Sequence, residues 1–521
     1  MGKLSGLASE KVFEYFELLC SVPHGSGNTD AISSLCVDFA KEHGYRYVRD
    51  EVNNVVIYAP ASEGYENAET VILQGHMDMV CAKAPGNNID MQKEPISVYY
   101  EDDFVKAKDT SLGGDDCIAV AMIMAILDSK DIPHPAIEAV FTVDEEIGLL
   151  GAAALDGNLL SGKYLINIDS EEEGVFTCGC AGGVRFEGTL PVKYEEKECK
   201  ETNKLYTVKI GGLMGGHSGC DIEKGRANSN HLMGRMLNAL VKKLELSLVS
   251  FEGGHFDNVI AAETTVGLAV KTGDADEFEQ LIEKYDKMFK EEYASSDAGV
   301  YVKIIERNER NKKVSEDISD GSRNSKGDAG FINLTEMEDG SRENKSIRAL
   351  TAADSASIFS LLAVMPQGVI EMSSDIKGLV QTSLNLGITL LEKECFKFSF
   401  CVRSSIKSQK DALVEILTEL TEKYGGTVAL HGDYPGWAFR RDSKLRESFR
   451  KCFVELFGKE PVITATHGGL ECGLFTEKVE GIDCISIGPD LFEIHSERER
   501  LSISSTVRVW KLLTAALKSM K

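Results

Sequence analysis

Two histidines and a group of carboxylates stand where apolar stretches of this sequence end, and their types suit metal-assisted hydrolysis. Gly75-His76-Met77-Asp78 follows an apolar run at 70–74. An H-x-D pair there can put an imidazole on a metal while the carboxylate two residues on holds the other ring nitrogen. Leu112-Gly113-Gly114-Asp115-Asp116 opens a long apolar segment. Paired aspartates at a helix start serve as a cap and offset the dipole, or one of them bridges two metals. Asp144-Glu145-Glu146 follows the run at 137–142. Successive acids at the mouth of a core are costly unless water or cations compensate them. Adjacent glutamates can then divide the work, one as metal ligand and one as general base. Asn167-Ile168-Asp169-Ser170 precedes three glutamates that read as a solvated edge, which leaves Asp169 as the ligand candidate. Ile494-His495-Ser496-Glu497 supplies a second imidazole. Each motif alone has an ordinary structural reading. Together they offer the nitrogen and oxygen donors that zinc takes. Two metals sharing a carboxylate lie roughly 3.5–4 Å apart and hold a hydroxide between them.

Four of the five motifs sit where a strand should end, and sites in α/β sheets lie at the carboxyl ends of strands. Alternation predicts strands over 54–58, 70–74, 137–142 and 164–168. An unbroken apolar run predicts a buried helix over 117–127. Residues 9–44 read as two helices split by the turn Pro23-His24-Gly25-Ser26-Gly27-Asn28. Strands alternating with helices imply an α/β fold with a largely parallel mixed sheet. After Gly183 the character shifts: a strand over 206–210 and amphipathic helices over 228–244 and 276–294 imply a separate α+β domain. Residues 306–348 are rich in charged and small polar side chains and read as an exposed, mobile insertion. From Tyr434-Pro435-Gly436-Trp437 the pattern returns to a helix over 444–457, a strand over 484–487 and a last helix from Ser505. That final stretch is short for a fold of its own, so it completes the first domain. The expected division is 1–186 with 437–521, and 187–436 inserted between them. No internal repeat is visible.

The chain has 521 residues, enough for two or more domains, and 43% are hydrophobic, enough for large cores. Its net charge of -26 repels nucleic acid and anionic membranes, so neither is expected as a partner. The 13 cysteines are scattered, odd in number and without a C-x-x-C pair, which predicts reduced thiols and a cytoplasmic location. No apolar signal core opens the sequence, and Gly6 stands where a myristoylation pattern needs Ser or Thr. A thiol-dependent enzyme is disfavoured, because no cysteine sits in a recognisable nucleophile setting with a paired histidine.

The motifs Q-G-H-M-D (74–78), S-L-G-G-D-D (111–116), D-E-E-I-G (144–148), I-D-S-E-E-E-G (168–174), G-C-A-G-G (179–183), G-G-H-S-G-C-D-I (215–222), H-G-G-L-E-C-G (467–473) and S-I-G-P (486–489) run nearly end to end. With them the chain resembles the aminoacyl-histidine dipeptidases, within the co-catalytic di-zinc exopeptidases. The resemblance implies a zinc-exopeptidase-like α/β/α catalytic domain with an inserted α+β lid. It implies hydrolysis of Xaa-His or other dipeptides by a hydroxide bridging two Zn2+, with Co2+ or Mn2+ as substitutes. His76, Asp115 and Asp169 would hold one metal, and Asp115, Glu146 and His495 the other. Asp78 would orient His76, Glu145 would be the general base, and His217 would stabilise the oxyanion. Arg403 would take the substrate's terminal carboxylate, and Asn228, Asn385, Gly469 and Glu471 are further substrate-site candidates. Asp116 and Asp144 depart from the usual Asn and Thr and bear on substrate preference. A related tripeptidase or N-acyl amino acid amidase would use the same metals. A non-catalytic binding homologue would have lost ligands, and here all are present. The oligomeric state is left as monomer or homodimer.

Overall fold

The computed structural model describes residues 2–198, 202–305 and 346–521. Contacts divide the chain into two compact units, Met1–Ala181 with Tyr434–Lys521, and Gly182–Asp433.

The first unit is built on an eight-stranded mixed sheet. At its centre the strand Val71–His76 runs parallel to Ile137–Thr142 on one side and to Tyr164–Asn167 on the other. Asp483–Ser486 pairs in parallel with Tyr164–Asn167, while Val55–Ala59 closes antiparallel on Ile137–Thr142. The central strands are buried along their whole length, which explains their unbroken apolar character. Alternate side chains then feed two cores. Val55, Ile57, Val71 and Leu73 pack with helices Glu10–Cys20, Asp30–Glu42, Gly114–Asp128, Lys444–Phe457 and Ile503–Ser519. Val56, Ile72, Val140 and Leu165 pack on the opposite face with Leu155, Cys472 and Phe475. The period of two along the strands therefore yields three layers, helix over sheet over helix. From Cys117 to Leu127 the helix Gly114–Asp128 is buried all round, as its composition requires.

The second unit carries a nine-stranded sheet with its own core. Its topology contains a duplication that the sequence does not display. Strand Asn203–Gly211, helix Ser229–Leu240, strands Leu246–Gly253 and Thr264–Lys271, helix Ala275–Glu292 and strand Tyr301–Ile304 form one βαββαβ set. Gly182–Pro191, Ala352–Val364, Val380–Leu391, Cys395–Ser404, Lys407–Lys423 and Thr427–Tyr434 form a second. Numbered within each set, the strand order across the sheet is 4-1-3-2 and then 2-3-1-4. The seam is the antiparallel contact of Glu252 and Gly253 with Leu390 and Thr389. One set is inserted between the first strand and first helix of the other, which breaks any simple sequence repeat. The expected insertion at 306–348 lies outside the described residues except at its end. There, residues 346–348 begin the strand Ser346–Leu350, which pairs with Tyr194–Glu198 rather than standing free. The helix expected over 228–244 stops at Leu240, with Asn228 as its cap.

Candidate metal centre

Parallel pairing explains why the motifs converge. His76 ends its strand opposite Thr142 in register, and Gln74 stands opposite Asn167, so the chain leaves all three strands at one sheet edge. His76, Glu145, Glu146 and Asp169 are carried by those exits, and Asp115 by the start of the buried helix. Gly113 there has φ 68°, in the left-handed region that favours glycine. The Asp115–Asp116 peptide is cis.

Asp115 faces both imidazoles. Its Oδ1 lies 3.1 Å from His76 Nε2 and its Oδ2 lies 3.2 Å from His495 Nε2. His76 Nε2 is also 3.7 Å from Asp169 Oδ1, and His495 Nε2 is 2.9 Å from Glu146 Oε1. Donor atoms of Asp115, Glu146 and His495 lie within 4.8 Å of one another, as do those of His76, Asp116 and Asp169, and those of His76, Glu145 and Glu146.

The other face of His76 differs in detail from the expectation. Its Nδ1 donates to the main-chain carbonyl of Asp78 at 3.0 Å, whereas the Asp78 carboxylate is 3.6 Å away. That carboxylate is engaged elsewhere, accepting from Ser26 Oγ at 2.8 Å and from the Glu145 N–H at 3.0 Å. Asp78 thus orients the imidazole through its backbone and fixes the acidic turn through its side chain.

The site is rich in buried negative charge. Burial, with Asp169, Glu471 and Glu146 nearby, pushes Glu145 up to about 9. Burial pushes Asp169 up to about 6, and Glu171 to about 7. Burial also pushes Asp116 up, reinforced by Asp169 beside it. Its Oδ2 accepts the His76 N–H at 3.2 Å. The hydrogen bonds that His495 donates to the Asp115 and Glu146 carboxylates push it up to about 10. Imidazoles and crowded carboxylates of this kind are a hard-to-borderline donor set in search of positive charge, and they fit divalent cations.

Similarity to known proteins agrees. The chain is 36% identical over 521 residues, all of this chain and 99% of the other, to the cytosol non-specific dipeptidase of Escherichia coli strain K12. The chain belongs to the aminoacyl-histidine dipeptidase family. The family's aminoacylhistidine dipeptidase from Vibrio alginolyticus matches in structure with TM-score 0.87 and 32% identity, over 99% of this chain and 98% of that one. An aminopeptidase from Bacillus cereus shares the fold, with TM-score 0.52 and 15% identity over 99% of each chain. Residues 208–297 match the peptidase dimerisation domain of the M20 peptidases. As a member of this dipeptidase family the chain is an enzyme, a peptide hydrolase of the exopeptidase class.

In this family member the second unit gathers several of the remaining candidates. His217 bridges Val259, whose carbonyl accepts from Asn385 Nδ2 at 2.8 Å. Arg403 stands opposite Ser383, on the same face of the strand pair as Asn385. His217 Nδ1 accepts from the N–H groups of Gly219 and Cys220 at 3.3 and 3.2 Å. Its proton therefore resides on Nε2. Burial and the charge of Arg403 hold its pKa below the usual value. Asn228 and Asn385 use their amides internally. Asn228 caps its helix through Oδ1 and donates to Asn385 Oδ1 at 3.1 Å and Leu386 O at 2.9 Å. Together they bridge the helix start to the strand Val380–Leu391. In the first unit Glu471 is wholly buried, accepting from Gln74 at 2.5 Å and Thr142 at 2.8 Å, so it ties strands together. Gly469 lies under the Tyr434 ring, where a Cβ would stand 2.8 Å from a ring carbon.

Sequence reasoning passed over Glu499. Its carboxylate accepts the N–H groups of Leu112 and Gly114 at 2.8 Å and of Gly113 at 3.2 Å. Only its place four residues after His495 hinted at a role. The described cysteines are free, and burial pushes thiols such as Cys36 and Cys178 up to about 12, far from nucleophile chemistry. Among the described residues no helix is long and apolar enough to cross a membrane.

Proposed function

We propose that this enzyme hydrolyses dipeptides, with Xaa-His or broad preference, using two divalent cations, zinc foremost. The observation that carries the reading is Asp115, with Oδ1 toward His76 and Oδ2 toward His495 at 3.1 and 3.2 Å. His76, Asp115 and Asp169 hold one cation, and Asp115, Glu146 and His495 the other. The cations, when bound, polarise the scissile carbonyl and acidify water.

The remaining work falls to the chain. Asp78 keeps the Nδ1 proton of His76 pointed at its own carbonyl, so Nε2 is presented as a donor to metal. Glu145 takes the proton of the attacking water on its carboxylate and delivers it to the leaving amine. His217 donates from Nε2 to the oxygen that becomes negative as the carbonyl turns tetrahedral. Arg403 receives the terminal carboxylate in its guanidinium fork. The cytosolic relative supports a cytoplasmic location, and the dimerisation-domain match supports assembly as a homodimer.

Glu145→Gln tests the assignment. Turnover should fall by about 10²–10⁴ while bound metal, measured by elemental analysis, is unchanged. Activity near that of the parent enzyme would remove Glu145 from its role. A panel of dipeptides, tripeptides and N-acyl amino acids, read by release of free amino acid, separates the dipeptidase from a tripeptidase or amidase.

A further inference from the structure

We propose that Glu499 is a positioning residue that fixes the loop of His495 against the loop of Asp115. Glu499 Oε2 accepts the Leu112 and Gly113 N–H groups at 2.8 and 3.2 Å, and Oε1 accepts those of Gly114 and Asp115 at 2.8 and 3.5 Å. Converging N–H groups at a helix start make a strong seat for a carboxylate. The seat is filled from far along the chain: the helix Gly114–Asp128 has glycine at its cap position and no side-chain cap of its own. A Cβ on Gly114 would stand 3.2 Å from Glu499 Oε1 and 2.7 Å from the Leu491 side chain. Gly113, with φ 68°, turns its N–H toward the same carboxylate. The G-G of this motif therefore lets a distant carboxylate reach the backbone beside Asp115.

The link from Glu499 back to His495 is short and stiff. The Glu499 N–H returns to Ser496 O at 3.2 Å, and Leu501 pairs with Leu491 and with Val105. His495 itself has φ 58°, so its backbone conformation depends on the loop being held. One carboxylate thus joins the two segments whose side chains meet at 3.2 Å. A local Ser or Asp would cap the helix equally well but would not carry His495 with it.

This inference rests on the metal assignment above, and the test separates the two. Zn2+ affinity is measured on metal-free full-length protein by competition with a chelating dye. Glu499→Gln keeps size but sets an amide NH2 against backbone N–H groups. It should weaken one of two equivalents of Zn2+ by about 10–100-fold. In a His495→Ala background the same change should weaken the already weakened equivalent no further, because Glu499 reaches that cation by placing His495. Wild-type affinity in folded Glu499→Gln, with only a lowered denaturation midpoint, would make Glu499 a structural cap and overturn the proposal. If Glu499→Gln does not fold, Glu499→Asp, with the charge on a shorter arm, is read by the same criterion. Two full-affinity equivalents in His495→Ala would instead overturn the metal assignment itself.

Discussion

His217 shows how much one side chain's role depends on its backbone. A histidine in G-G-H-S-G reads equally as a turn element or as a donor. The N–H groups of Gly219 and Cys220 decide the tautomer by occupying Nδ1, and the charge of Arg403 disfavours a second proton. A neutral imidazole with its proton on Nε2 suits donation to an oxyanion and cannot serve as a base at Nδ1. His217→Ala should therefore lower kcat by about 10²–10³, with bound metal unchanged, in steady-state assays on a dipeptide. An unchanged kcat would remove it from the transition state. The proposed metal ligands were legible as candidates in the sequence, because His76, Asp115, Glu146, Asp169 and His495 each punctuate an apolar run. Asn228, Asn385 and Glu471 were named as substrate-site candidates without sight of their partners. Asn228 and Asn385 spend their amides on internal hydrogen bonds, Glu471 accepts through Oε2 while its buried Oε1 has no hydrogen-bond partner among the described residues, and residue type reveals neither. Glu499 was missed for the converse reason: its partners are backbone groups, which carry no signature.

At the scale of elements, the strand Val71–His76 and the helix Gly114–Asp128 touch through Gly75. A Cβ there would lie 2.5 Å from the Ala119 side chain and 2.7 Å from Asp116 Oδ2. Gly75→Ala must push helix from strand, and should cost about 1–3 kcal/mol in denaturant unfolding. No loss would mean the helix can yield. Strand and helix types were readable from period and apolar content, and their ends fell within a few residues. What escaped was the polar layer between them. Glu471 sits at the start of the helix Glu471–Lys478 and accepts from Gln74 and Thr142 on adjacent strands. Burial pushes its carboxyl up to about 7, with His76 opposing and Asp169 reinforcing the rise. The folded state then binds a proton more tightly than the unfolded chain. Its contribution is fully present below the ordinary carboxyl range near pH 4.5 and is lost as pH rises through about 7. Metal-free Glu471→Gln should gain on the parent by about 3 kcal/mol above pH 7 and lose that advantage toward pH 4. Parallel stability-pH curves for the two proteins would show that Glu471 does not titrate in this range.

Across the whole molecule, the two units differ in how openly the sequence announces them. The first is read from motifs at strand ends. The second hides a duplicated βαββαβ set, because one set interrupts the other and side-chain patterns on a sheet specify burial rather than ancestry. Each unit nevertheless has its own core, and the first is nearly closed where the chain leaves it. Cys180 and Trp437 exchange both backbone hydrogen bonds at 2.9 Å, three residues or fewer from the departure at Ala181 and the return at Tyr434. Among the described residues, the buried clusters of the first unit are built from that unit's own two segments. Replacing that span by a short Gly/Ser linker should leave a unit that unfolds cooperatively and binds two equivalents of Zn2+. All five proposed ligands lie outside the deleted span, while His217 and Arg403 lie within it. Metal stoichiometry should therefore survive the deletion while kcat on dipeptides falls at least as far as in His217→Ala. A shortened protein that melts without a sharp transition, or that holds no metal, would show that the first unit needs the second in order to fold.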